Sequence, residues 1–209
     1  MPSLTDYAEN KIDDWMFRAQ AATPPATWYI GLIVATRGYS SAVRSASVAL
    51  NDTVLPTTPN GRIYKCTTAG TTAAGEPTWP TTAGGTVTDG TAVWTEQTTA
   101  MEAGTFTEPS GGGYARVSLA SSLANWAGTQ AAGSTVASTG TGGTTSNNAA
   151  LTFPAPTGNW GLLYGFFGSD ALTAGNIWKY AALTTPKNVN SGDAAPSFAA
   201  AALTFQIDN

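Results

Sequence analysis

The side chains able to do chemistry are few, and their types restrict it. The 209-residue sequence holds 13 carboxylates, nine Lys and Arg residues, one cysteine and no histidine. Lack of histidine excludes Ser-His-Asp and Cys-His catalysis and histidine metal sites. Cys66 has no second cysteine to pair with, and its expected place is that of a small buried hydrophobe rather than a nucleophile. Glycoside hydrolysis needs two carboxylates flanking one bond, and no spacing here brings two together. Asp13 and Asp14 are neighbours on a helix and point about 100° apart. Glu102 and Glu108 are expected in solvent. Calcium needs a run of oxygen ligands at loop spacing, and none is present. The Gly-rich stretch at 133–148 lacks the Gly-Lys-Ser/Thr of a phosphate-binding loop. The expectation is a non-enzyme without catalytic residues, metal or cofactor.

What remains is aromatic. Tyr64, Trp79 and Trp94 surround the Thr- and Gly-rich segment "EPTWPTTAGGTVTDGTAVWTE", residues 76–96. Flat rings can stack on sugars, which makes the three candidate carbohydrate contacts. They can equally be the core of a small unit, which buries little surface without large side chains. Core is the favoured place for at least two of the three.

Charged residues are only 11% of the chain, less than half the usual share, and the net charge is −4. Nucleic-acid binding needs a basic stripe that is missing here. No apolar run is long enough to cross a membrane, and Met-Pro-Ser-Leu-Thr-Asp does not open a signal peptide. Between residues 117 and 169 there is no Asp, Glu, Lys or Arg, yet the stretch contains Leu123, Trp126, Leu151, Phe153 and Trp160. It reads either as a face enclosed by neighbouring subunits or as a β domain with loose loops. Leu123 and Trp126, with Trp15 and Met16 of the N-terminal segment, are candidate assembly contacts.

The elements that must position these residues follow from periodicity. Leu4, Tyr7, Ala8, Ile12, Trp15, Met16 and Ala19 recur at helical spacing, predicting a helix over about 3–19 with Ser3 as its cap and Asp6 completing a capping box. Strands are predicted at 28–35, 47–56, 63–66, 114–119, 150–156, 159–168, 176–183 and 197–208, with Gly, Pro and Asn between them. Asn60-Gly61 and Asp89-Gly90 are hairpin signals. The fold class expected is all-β: a jelly-roll or β-sandwich main domain with one N-terminal helix and a small inserted β module.

Two resemblances sharpen this. Asn60-Gly61-x-x-Tyr64-x-Cys66, then Glu76-Pro77-x-Trp79-Pro80, then Thr-Val-Thr-Asp-Gly-Thr-x-x-Trp at 86–94 resemble a β module common in tailed-bacteriophage virion proteins. "SLTDYAENKIDDWMF", "PATWYIGL", "GGGYARV", "LTFPAPTGNWGLLYGFFG" and "SGDAAPSFAAAALTFQID" resemble a second phage family, of tail-fibre-like and capsid cement or decoration proteins. The resemblances imply a main domain at 1–37 and 100–209 interrupted by a module at 38–99. They also imply a structural component of the virion, assembled in the host cytoplasm. Its expected partners are copies of itself, as a homotrimer, and the major capsid protein or other virion proteins. The chain is short and lacks heptads or repeats for a fibre shaft, which favours capsid cement or decoration. The alternative is a tail-fibre or receptor-binding protein whose Trp module holds host surface glycan.

Overall fold

The computed structural model describes residues 3–40, 42–128, 134, 136–138 and 143–206. Strands take 38% of the chain and helices 9%, which makes the fold all-β. The main sheet is antiparallel throughout. Its strands run in the order Ser3–Leu4, Ile177–Val189, Gly161–Ser169, Thr27–Ala35, Val117–Ala120. Its two central strands are apolar on both faces because both faces are covered. Ile30 and Leu32 point into one core, closed by Leu151, Phe153, Leu203 and Phe205. The alternate residues Ile33 and Ala35 point into the other, with Tyr164, Phe167 and Met101. The register pairs Phe167 with Gly31, and a Cβ on Gly31 would sit 2.2 Å from the Phe167 ring, so only glycine fits beneath it. Small sheets cover the first core: Trp126–Ala127, Thr144–Asn147 and Thr204–Gln206 form one, and Leu151–Thr152 pairs with Ser197–Phe198.

A second five-stranded sheet, in the order Arg37–Gly38, Thr53–Leu55, Tyr64–Thr68, Ala92–Glu96, Thr86–Asp89, has its own core of Tyr39, Val43, Val48, Val54, Tyr64, Cys66, Ala92 and Trp94. Asp89 pairs with Ala92 across a two-residue loop, and Gly90 opens that loop at φ 65°, as the hairpin signal anticipates. This sheet does not stand apart. Leu55 and Ile63 leave it to enter the core shared with Ile33, Tyr164 and Phe167.

The structure redraws several expected elements. The helix is Asp6–Phe17, and its cap is Thr5, not Ser3. Ser3 and Leu4 are extended because they pair with Tyr180 and Lys179 at the sheet edge. Thr5 is then the first residue free to accept from Ala8 N, while its hydroxyl donates to the Ile177 carbonyl. Asp6 and Glu9 in the first turn face the positive end of the helix dipole. The strand expected at 47–56 is two, Ser47–Val48 and Thr53–Leu55, broken where Asn51 turns at φ 72°. The tail segment likewise splits into Ser197–Phe198 and Thr204–Gln206. Conversely, the strand expected at 176–183 runs on through Pro186 to Val189. Proline fits because that part of the strand lies at the sheet edge and at a register shift, where no ladder bond needs its N–H. A short helix, Thr98–Glu102, was not expected. Residues 133, 135 and 139–142 of the excursion at 133–148 lie outside the described residues, and its end, Thr144–Asn147, is a strand.

Candidate functional site

The recurring residues of the second sheet converge on one aromatic cluster. Trp79 lies at its centre, with ring centroids 4.4 Å from Tyr64, 5.4 Å from Tyr39 and 6.1 Å from Trp94. Polar groups fix each ring. Trp79 Nε1 donates to Glu76 Oε1 at 2.8 Å, and the same oxygen accepts from Thr57 N at 2.9 Å. Burial works to raise the Glu76 carboxyl, but the hydrogen bonds from Thr57 and Trp79 outweigh it and hold the group below its usual range. The Tyr64 hydroxyl donates to the Pro80 carbonyl and accepts from Asn60 Nδ2, both at 2.8 Å. Asp89, 1% exposed, accepts from the Tyr39 hydroxyl, Trp94 Nε1 and Ala73 N. The motif Asn-Gly-x-x-Tyr, Glu-Pro-x-Trp-Pro, Asp-Gly, Trp is therefore a list of what closes this core.

Of the three candidate sugar contacts, Tyr64 and Trp94 are fully buried and present no ring face to a ligand. Trp79 is half-buried, and any exposed stacking surface in the cluster belongs to it. Cys66 is buried, its thiol donates to the Thr68 carbonyl at 3.2 Å, and burial pushes its pKa up, away from thiolate chemistry.

The charged groups are also spent on structure. Glu96, 1% exposed at its side chain, accepts from Arg62, Gly84 N and Thr98. Glu108 is not simply solvated. It forks onto Arg116 at 2.5 and 3.0 Å and accepts from the Tyr114 hydroxyl, whose oxygen in turn accepts from Leu32 N. The Arg116 side chain is 6% exposed, lies over the Phe167 ring and donates to the carbonyls of Ala171 and Ala174. Sequence gave no sign of this pair, because eight positions in an irregular segment carry no period. Glu102 is half-buried near Asp6 and Glu9; burial, then their repulsion, raises its pKa. Among the described residues no three of His, Cys, Asp and Glu gather as a metal site. Among the described residues no helix is long and apolar enough to cross a membrane.

The candidate assembly residues fall on the other side of the main sheet. Trp15 and Met16 are exposed on the last turn of the N-terminal helix, and Leu123 is exposed in the turn after Val117–Ala120. Trp126 is half-buried and lines a cleft of about 450 Å³ between that helix, the sheet edge and the Thr204–Gln206 strand. Lys179 lines the same cleft. Burial lowers its ammonium to a pKa of about 8, and it donates to the Gln206 carbonyl at 2.5 Å.

An all-β body whose signature residues serve packing, with an aromatic cleft at one edge, is the construction of a structural protein. The chain belongs to the family of the podophage GP4 fiber I protein gp80, whose model matches residues 3–100 and 81–206. It is thus a structural protein of a tailed-phage particle. No curated protein matches the chain.

Proposed function

We propose that the chain is a non-enzymatic subunit of a tail fibre and that it works by association. The observation that carries this reading is the family match, which spans residues 3–206 under the name of a fibre protein. It favours the fibre over the cement or decoration role that the short chain suggested. In this reading residues 38–99 are a module inserted in a host of residues 1–37 and 100–209. Support comes from the module's own sheet and its own aromatic core. Its partners are copies of itself and neighbouring virion proteins, and assembly takes place in the host cytoplasm. If host glycan is bound through the module, Trp79 is the contact, since the other two rings are buried.

Antibody-gold labelling of intact particles, with quantitative mass spectrometry of copies per virion, tests the assignment. Label confined to the tail and a few tens of copies are expected. Label spread over the head with hundreds of copies would return the protein to the capsid.

A further inference from the structure

The N-terminal helix overruns the body it packs on. Its apolar stripe begins at Ala8, fully buried, and passes Ile12, half-buried. It ends at Trp15, Met16 and Phe17, which are 61%, 57% and 78% exposed. Three consecutive residues sweep about 200° around a helix, so no rotation of the helix would turn all three inward. Among the described residues nothing covers this turn.

Beside the first two turns of the same helix lies the cleft of about 450 Å³, left open among the described residues. A cavity of roughly 150 Å³ accommodates one benzene ring, so this one has room for two or three. Its walls include the rings of Trp28, Trp126, Trp178 and Phe205. Two polar groups give it a sign. Trp126 Nε1 is buried and has no hydrogen-bond partner, and Lys179 adds an ammonium. Among the described residues no carboxylate lines the cleft. The fitting occupant carries aromatic rings together with acceptors of negative character.

The last turn of the helix matches that description. It has two rings, the negative end of the helix dipole and the exposed carboxylate of Asp13, and the cap residue Arg18 just beyond it is paired with Asp14 at 2.8 Å. A copy cannot fill its own cleft this way, because Phe17 lies about 13 Å further along the axis than Ala8. We propose that residues 15–17 of one copy insert into the cleft of a second copy, between Trp28, Trp126 and Phe205. Each aromatic ring buries roughly 150–250 Å². A single insertion therefore removes on the order of 1,000 Å² from both surfaces together, below the roughly 1,200–2,000 Å² of a stable specific interface. Reciprocal insertion between two copies doubles this to about 2,000 Å² in one two-fold interface, within that range. The proposal stands whether the particle carries the protein on its tail or its head.

The full-length chain is examined by sedimentation velocity and light scattering. The wild type is expected to associate, and Trp15→Asp/Phe17→Asp to weaken association about 100-fold or more through loss of two aromatic anchors. These residues are exposed, so the variant keeps its fold, and circular dichroism verifies it. Gly168→Leu plugs the cleft from the central strand. A Cβ there meets Trp28 and Phe205 at 3.5 Å, an ordinary contact, and this variant is also expected to be monomeric. A wild type that stays monomeric at its highest soluble concentration overturns the proposal. So does a helix-end variant that keeps the wild-type mass. If Gly168→Leu does not fold, the helix-end variant decides alone.

Discussion

Replacing Trp79 separates a structural role from a binding one. Its ring touches three other aromatic rings, and its Nε1 holds Glu76 at 2.8 Å. Truncating a buried aromatic residue to alanine costs about 3–5 kcal/mol. Trp79 is half-buried, which places Trp79→Ala at the lower end, about 3 kcal/mol. For a chain of this length each kcal/mol shifts Tm by roughly 2–4 °C, so a fall of about 6–12 °C is expected. Trp79→Phe keeps most of the packing and loses the N–H, at a cost of about 1–2 kcal/mol for a hydrogen bond to a charged acceptor. In that variant the Glu76 carboxyl titrates higher than in the wild type, because one of the bonds that hold it down is gone. Scanning calorimetry reads the first two quantities, and an NMR pH titration of Glu76 reads the third. Adsorption of phage carrying Trp79→Ala to host cells should be unchanged when particles are intact. An unchanged Tm together with lost adsorption would refute the reasoning and make Trp79 a sugar platform.

Three further outcomes are expected. Gly31→Ala places a Cβ 2.2 Å from the Phe167 ring and should destabilise the chain by about 1–3 kcal/mol or more in urea unfolding, the usual cost of overpacking. Glu108→Ala leaves the Arg116 guanidinium, 6% exposed, without its carboxylate, and should cost about 3 kcal/mol by the same measurement, the lower end for a broken buried pair. Stability should also depend on pH through two groups. Burial raises the Glu96 carboxyl, but bonds from Thr98, Arg62 and Gly84 hold it below its unfolded value. Its contribution is therefore present above the ordinary Glu range and lost as pH falls through the folded pKa, and Glu96→Gln should flatten that acid limb. Lys179 titrates at about 8 when folded against roughly 10.4 unfolded, so between these values the unfolded chain binds the extra proton and stability rises with pH. Lys179→Met should remove that rise.

Sequence reasoning succeeded where a period or a turn residue carries the information. The two-sided apolar strands at 28–35 and 161–169 show in their composition, and Gly90 of the Asp-Gly hairpin takes the positive φ the motif requires. It failed where tertiary contacts decide. Ser3 is as good a cap as Thr5 in isolation, and only pairing with the edge strand removes it from the helix. Pro186 inside a strand opposes local preference and follows from its neighbours, whereas the left-handed turn at Asn51 suits asparagine but is hidden in a segment that reads as one long strand. For the site, residue types identified the aromatic cluster, but Asp89 and Glu76 enter only as a hairpin signal and a motif residue, and their role in holding the rings comes from the fold.

The seam between the two sheets has a mechanical meaning. The Thr27–Ala35 strand reaches the Arg37–Gly38 strand of the second sheet after a single residue, Thr36, whose N–H and hydroxyl are both tied to Thr53. Leu55 and Ile63 wedge into the core of the main sheet beside that crossing. A continuous extended backbone braced by a buried apolar strut behaves as a bracket rather than a hinge. A load on the second sheet is expected to pass along this backbone into the Thr27–Ala35 strand of the main sheet.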